Sequence, residues 1–158
     1  MNDDLKFKGV WKIEIRDNGV LRKTIVEKNL VVNEGINYIF SNDLEAGSQY
    51  MGLTDGTPSV AAGDTLASHA GWTEVTAYTG DRPLWDKTLT TTSLSNSGST
   101  ASFTTFTGSG TIGGLFLATV NTGTSGVLIS AVAFTEGDQS YTSATTVTAT
   151  YTLSGSSS

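Results

Sequence analysis

The segment that most restricts the fold is residues 145–153, TTVTATYTL, in which apolar side chains alternate with threonines. The apolar set is Val147, Ala149, Tyr151 and Leu153. A period of two places successive side chains on opposite faces of a strand, whereas a helix requires a period of 3.6. The branched Cβ of threonine also favours an extended chain. The segment therefore predicts a β-strand with one face in a core.

The same chemistry extends over much of the chain, because Thr (26), Ser (18) and Gly (18) make up 62 of the 158 residues. Gly and Ser mark turns, and the apolar runs between them are short. Further strands are expected near 87–94, 100–107, 114–120 and 126–135. This spacing is typical of sandwiches and barrels. We predict an all-β chain, an antiparallel β-sandwich of jelly-roll or immunoglobulin-like type, forming one domain over 1–158 with a frayed tail at 154–158.

Residues 5–28 predict an N-terminal β-hairpin. The run FKGVWKIEI alternates, with lysines and Glu14 on one face and a core-facing set opposite, namely Phe7, Trp11, Ile13 and Ile15. Asp17-Asn18-Gly19 supplies the turn, because Asn and Gly tolerate the positive φ that tight hairpins demand.

One short helix is predicted at 34–42, within NLVVNEGINYIFSND. Asn33 is the expected N-cap, and the residues expected to face inward are Ile36, Ile39 and Phe40. YMGLTDG and WTEVTAYTGDRPLWD each suggest a strand in the less regular middle. Between them lies a long connection, 54–72, whose length is typical of a functional loop or an Ω-loop.

Charge is distributed unevenly along the sequence. Residues 1–28 carry seven bases and five acids, and residues 29–158 carry two bases and ten acids, which gives +2 and −8 within a total of −6. The acidic body argues against a nucleic-acid partner, since phosphate binding needs clustered Lys and Arg. The basic end is either a solvated strand face or a contact for an acidic protein surface. The candidate contact residues are Lys6, Lys8, Lys12, Arg22 and Lys23.

Catalytic chemistry finds little support in the sequence. There is no cysteine, and the single histidine, His69, has no second ligand-type His or Cys for a metal and no G-x-S-x-G elbow for a triad. GSGTIGG places Gly108, Gly110 and Gly113 in a G-x-G-x-x-G pattern. A dinucleotide fingerprint must open a helix, however, and LFLATV follows instead. We expect no enzyme activity and no cofactor.

Two further side-chain sets leave alternatives open. Turn geometry accounts for Asp55 and Asp64, while a carboxylate pair or a Ca²⁺ site built with Asp81 and Asp86 are the competing interpretations. Aromatic residues are more often core than ligand platform. A glycan-binding function would instead require Trp72, Tyr78 and Trp85 on one exposed face, with Trp11 a further aromatic of the same kind.

No stretch approaches the roughly 18 consecutive apolar residues that span a bilayer, and the N-terminus lacks an apolar signal region. We therefore expect a chain made in the cytoplasm, with no membrane partner.

Three blocks resemble small virion proteins of tailed bacteriophages: KNLVVNEGINYIF, YMGLTDGTPSVAAGDTL, and Glu74 with Arg82 before a Thr/Gly-rich remainder. The resemblance covers roughly 28–153. It implies assembly rather than a reaction, either as a capsid decoration (cement) protein or as a tail-fibre or tail-appendage module. The major capsid protein would be the partner, a homo-oligomer such as a trimer the working form, and the virion the location. Residues 54–72 and the hairpin would supply contacts.

Overall fold

A computed structural model describes residues 6–156, and these residues are organised almost entirely as strands. In chain order the elements are β1 (Lys6–Asp17), β2 (Val20–Val31), α1 (Asn33–Ser41), β3 (Tyr50–Thr54), β4 (Glu74–Val75), β5 (Thr88–Leu89), β6 (Ser93–Ser95), β7 (Ala101–Phe103), β8 (Gly110–Ile112), β9 (Gly114–Ala118), β10 (Leu128–Ala133), β11 (Gln139–Tyr141) and β12 (Thr145–Ser156). Every ladder is antiparallel. The prediction of an all-β, sandwich-like fold with one short helix is confirmed.

Ten strands are joined in one sheet, nine of them in the order β4-β3-β9-β10-β2-β1-β12-β6-β5 and the tenth, β7, beside β12, while β8 and β11 pair separately. The path bends at β2, which pairs with β1 over most of its length but with β10 only at Leu30 and Val31. We call β2, β1, β12, β6, β7 and β5 the front sheet, and β10, β9, β3 and β4 the back sheet. The main core lies between them and draws on both, as in Trp11, Ile13, Val147, Tyr151, Leu53, Leu115 and Leu117.

The N-terminal hairpin has the predicted alternation. Trp11, Ile13 and Ile15 are fully buried, and the residues between them face outward. Asn18 (φ 49°) and Gly19 (φ 79°) form the turn in the left-handed region. The hairpin interpretation is therefore confirmed from Lys6 onward, and Leu5 lies outside the described residues.

A second apolar cluster lies behind the back sheet, under the long loop. In β9, Leu115 and Leu117 enter the main core, whereas Phe116 and Ala118 enter this second cluster. Leu66 of the loop packs there too. Because both faces of β9 are covered, its sequence is a continuous apolar run without alternation.

Glu34, in the first turn of α1, ties this loop to the sheet. Its Oε2 accepts the backbone N–H groups of Leu66 (3.3 Å) and Leu128 (2.8 Å). The backbone N–H of Asn33 donates to the Ala62 carbonyl at 2.9 Å. The long loop is therefore a packed cover for the back sheet, as an Ω-loop is.

Several boundaries differ from the sequence expectation. The helix begins at Asn33 instead of after it; the N-cap position is Val32, without a side-chain cap. Phe40, expected inside, is 64% exposed, whereas its neighbours Tyr38 and Ile39 pack half-buried against the main core. The expected frayed tail is wrong for 154–156, because these residues complete β12 opposite Lys8, Phe7 and Lys6. Residues 157–158 lie outside the described part.

The strands of the middle region are shorter than expected. The strand predicted at 87–94 is a small hairpin of β5 and β6, turned by Thr90, whose N–H and Oγ1 both donate to the carbonyl of Ser93. β4 and β7 contain two and three residues. The β8–β11 pair was not anticipated, because both strands are three residues long and rich in Gly and polar side chains.

Candidate docking surface

The two sheets differ in what covers their outer faces. The long loop covers the back sheet, whereas the outward side chains of β1 and β2 are exposed to solvent. On β1 these are Lys6, Lys8, Val10 and Lys12, each two residues from the next. Successive side chains on one face of a strand stand about 7 Å apart. They form a flat row about 20 Å long.

Strand pairing extends this row sideways into a pattern of valine and lysine. Val10 lies opposite Lys28, and Lys12 lies opposite Val26. Val26 is 62% exposed and Val10 is 37% exposed. We call Lys6, Lys8, Val10, Lys12, Val26 and Lys28 the basic face. On its other side, β12 contributes the half-buried threonines 148, 150 and 152.

The positive charge of the basic face is concentrated toward the beginning of β1. Glu14 contacts Lys12 (3.1 Å) and Arg16 (2.8 Å), and the hydrogen bonds from Arg16 and then from Lys12 lower its pKa. Glu14 thus stays ionised and neutralises part of this end. Within residues 6–156, Lys6, Lys8 and Lys28 form no ion pair.

The basic face also contains a recess. About 310 Å³ of open space is lined by Phe7, Lys8, Gly9, Val10, Lys28 and Asn29. Position 9 in this recess requires glycine, because a Cβ there would collide with the side chains of Asn29 and Tyr151. The recess offers a partner side chain an apolar wall between two lysines.

Of the five contact residues predicted from sequence, the structure brings three together. Lys6, Lys8 and Lys12 belong to the basic face. Arg22 is instead held at the hairpin end, donating to Asp17 Oδ2 (2.6 Å) and the Ser140 carbonyl (2.5 Å). Lys23 forms an ion pair with Glu136 away from this face. Lys23 lies opposite Ile15 and two residues from buried Ile25, so alternation alone takes it off the basic face. Arg22 is the residue left unpaired by the register shift between Ile15 and Arg16.

Sequence reasoning missed Val10, Val26 and Lys28 as members of the same surface. The alternation already placed Val10 with the lysines. A two-residue turn alone would place Ile25 opposite Lys12, and the register shift between Ile15 and Arg16 brings Val26 there instead. Val26 and Lys28 therefore could not be placed from the turn. Sequence reasoning also missed an apolar groove near the helix. The groove has a volume of about 250 Å³, and the exposed side chains of Phe40 and Leu89 lie beside it. Its lining includes Phe7, Ile39, Leu44, Leu94 and Leu153.

The glycan platform suggested by three aromatic residues does not exist as an exposed face. Trp85 is fully buried and donates from Nε1 to the Tyr151 carbonyl at 3.1 Å. Tyr78 packs edge-on against Phe103 in the main core. Trp72, 6% exposed, belongs to the second cluster. Each of these aromatic side chains is buried because it fills apolar space, Tyr78 and Trp85 in the main core and Trp72 in the second cluster. Trp11 is likewise core.

His69 has a structural place. Its ring stacks on Trp72 with centroids 3.5 Å apart, and its Nδ1 lies 3.1 Å from the Trp72 carbonyl oxygen. Gly108 and Gly110 lead into β8, and Gly113 lies between β8 and β9, so the glycine pattern joins strands.

Two of the loop carboxylates accept backbone N–H groups. Asp55 accepts the Thr73 N–H (2.9 Å), and Asp64 accepts the Ala61 N–H (2.9 Å). Asp81 and Glu74 line one small cavity, and Asp86 is not among its lining residues. Within residues 6–156, no three His, Cys, Asp or Glu side chains are grouped so as to hold a metal ion.

Within residues 6–156 the helix is α1, with nine residues. No helix in this part of the chain is long and apolar enough to cross a bilayer. No family model, no curated protein and no solved structure matches the chain.

Proposed function

We propose that this chain is a non-catalytic virion protein of a tailed phage, a capsid decoration (cement) protein that binds the major capsid shell through its basic face. The observation that carries the proposal is that face itself: exposed lysines and valines on two twelve-residue strands, β1 and β2, of an otherwise acidic molecule. The resemblance of residues 28–153 to small phage virion proteins supports the assignment.

The chemistry of the basic face suits a protein partner of negative charge. Lysines steer and orient an acidic surface, and exposed valines add apolar area at the centre of the contact. The extended strands hold these side chains in fixed positions, so little order has to be gained on binding. The acidic remainder, at −8 over residues 29–158, would face outward.

The alternative is a tail-appendage module that binds a host surface glycan. It requires Trp72, Tyr78 and Trp85 to lie together on one exposed face. Burial of all three removes that support. We therefore favour the capsid, and we keep homo-oligomerisation, a trimer in particular, as part of the proposal, since decoration proteins sit at symmetric positions.

A binding assay on capsids tests the proposal. Capsids prepared without this protein are mixed with the purified chain, and bound protein and the capsid melting temperature are measured. We expect saturable binding and a higher melting temperature. The variant K6Q/K8Q/K28Q should bind from roughly 3-fold to roughly 150-fold more weakly, because each exposed charge contributes about 0.2–1 kcal/mol.

The matched control is S97E/T100E/T124E, which changes net charge by the same three units at exposed loop positions away from the basic face. It should bind like the parent chain. Equal weakening by both variants would mean that overall charge alone acts, and the basic face would then not be the contact. Absence of binding by the parent chain would overturn the capsid assignment.

Copy number per particle separates the two phage locations. Quantitative mass spectrometry of purified virions should find the chain in hundreds of copies. A count between six and a few dozen would assign it to the tail instead.

A further inference from the structure

A small polar cavity lies in the back half of the molecule, in the opposite sheet from the basic face. It measures about 200 Å³ and is lined on one side by the segment 74–82 and on the other by the β9–β10 loop at 121–123. The lining residues that matter chemically are Glu74, Tyr78, Asp81, Arg82, Asn121 and Gly123.

Arg82 fixes the shape of this cavity. Its side chain is almost fully buried and holds Glu74 through two hydrogen bonds of 2.7 Å. It also donates to the carbonyls of Val120 (2.9 Å) and Gly123 (2.8 Å), across the cavity. One guanidinium thus joins both walls, and it cancels the charge of Glu74. Hydrogen bonds within the protein therefore hold both walls without a ligand.

The remaining polar groups of the cavity include both donors and acceptors. Asn121 Nδ2 donates to Asp81 Oδ2 at 2.9 Å. Within residues 6–156, the other oxygen of Asp81 and the hydroxyl of Tyr78 have no protein partner. Burial, followed by the charge of Glu74, raises the pKa of Tyr78, so its hydroxyl keeps its proton. A neutral phenol can donate and accept.

We propose that this cavity binds one residue of a saccharide through its hydroxyl groups, with Asp81 accepting and with Tyr78 and Asn121 donating. A sugar hydroxyl both donates and accepts, so it matches a mixed lining of this kind. Arg82 acts as a positioning residue, since its own donors are taken up by Glu74 and by backbone carbonyls.

A hydroxyl-bearing ligand fits the lining better than a cation does. Arg82 compensates Glu74, which leaves Asp81 as one uncompensated carboxylate. An ammonium ion has donors only, so the hydroxyl proton of Tyr78 and the remaining amide proton of Asn121 would find no acceptor on it, whereas a sugar hydroxyl supplies one. The proposal is independent of capsid binding, because the cavity and the basic face belong to different sheets.

Titration of the isotope-labelled chain by NMR tests the proposal. The probes are a panel of neutral hexoses and N-acetylhexosamines, with methylammonium chloride as the cation. We expect at least one sugar to cause saturable shifts of the backbone amides of Gly80 and 121–123, with a Kd of about 1 mM. Asp81→Asn should weaken this binding by roughly 12- to 150-fold, and Tyr78→Phe by roughly 2- to 12-fold.

Tyr141→Phe is the matched control, because it removes a hydroxyl from another largely buried tyrosine, which packs against Phe106 outside the cavity lining. It should bind sugar like the parent chain. The proposal is overturned if no sugar shifts these amides, if methylammonium alone shifts them, or if Asp81→Asn leaves the sugar response unchanged in a folded protein. Capsid binding by the same preparations is a separate readout, so failure of one proposal leaves the other standing.

Discussion

Asn96 accepts the backbone N–H of Tyr151 through its side-chain Oδ1 at 2.8 Å, and its Nδ2 donates to the Ala149 carbonyl at 3.2 Å. These contacts fill a gap in the front sheet. β12 pairs with β7 at 147–149 and with β6 at 152–154, and no strand covers the residues between. The amide side chain therefore replaces one step of a backbone ladder.

Replacing Asn96 by alanine should destabilise the protein by about 2–5 kcal/mol, because it leaves the Tyr151 N–H and the Ala149 carbonyl buried without partners. Urea unfolding followed by circular dichroism measures the change. Ser97→Ala, one residue further and exposed, should stay within about 0.5 kcal/mol. Similar losses for both variants would show that this loop tolerates no change, and that the amide has no special role.

The pair of Arg82 and Glu74 should matter far more than a surface ion pair. Glu74→Gln leaves a buried guanidinium with an impaired partner, and we expect a loss of about 3–5 kcal/mol in the free energy of unfolding. Lys12→Gln, which breaks the exposed contact with Glu14, should cost less than about 1 kcal/mol. Chemical denaturation of the two variants side by side makes the comparison. Equal losses in the free energy of unfolding would mean that the buried pair stabilises the fold no more than the exposed one.

Gly35→Ala gives a test with opposed expectations. Helix propensity alone favours alanine by about 1 kcal/mol. A Cβ at Gly35, however, would meet the backbone of Ile129 in β10, which has no flexible end to move aside. We expect net destabilisation of about 1–3 kcal/mol. Gly63→Ala, with open space around the new Cβ, should be neutral or stabilising by up to about 1 kcal/mol. Differential scanning calorimetry decides, and a stabilised Gly35→Ala protein would refute the close packing.

Tyr151 should make the protein sensitive to alkali. Burial raises its pKa to about 12 from an ordinary value of 10.0. The unfolded chain therefore releases this proton at lower pH than the folded one does, so the stabilisation is complete below pH 10 and is lost between pH 10 and 12.

Tyr151→Phe removes the hydroxyl that accepts from Asn29, and should be less stable at neutral pH by about 0.5–1.5 kcal/mol. Urea unfolding at a series of pH values should show the gap between parent and variant closing above pH 10. A constant gap up to pH 12 would mean that the hydroxyl titrates normally.

The sequence was most informative where one periodicity acts alone. β1, β2 and β12 each bury one face, so alternation identified them and separated Trp11 from Lys12. In β9 the signal was the apolar run itself, and what buries its second face, a loop distant in sequence, was not visible from the run. β5 and β6 were predicted as one strand because a turn of threonine and serine looks like strand sequence.

The candidate surfaces were predictable to different degrees. Lys6, Lys8 and Lys12 share a face by spacing alone, and Lys23 leaves it by the same alternation, whereas Arg22 is displaced by a register shift that no composition reveals. The cavity depends on Arg82 meeting the carbonyls of Val120 and Gly123, about forty residues away. Contacts of that kind depend on tertiary packing. For the same reason Trp72 and Trp85 could be ranked as core but not assigned to separate layers.

The pairing of β1 with β12 has a consequence for how the chain reaches its folded state. Lys6 lies opposite Ser156, so the first and last described strands are neighbours at the centre of the front sheet. A ribosome would release β12, the partner of β1, only after every strand between them. Until then the hairpin would expose Trp11 and Ile13 to the cell. Contacts this distant in sequence make folding slow, and folding intermediates with open strand edges are the ones that chaperones protect from aggregation.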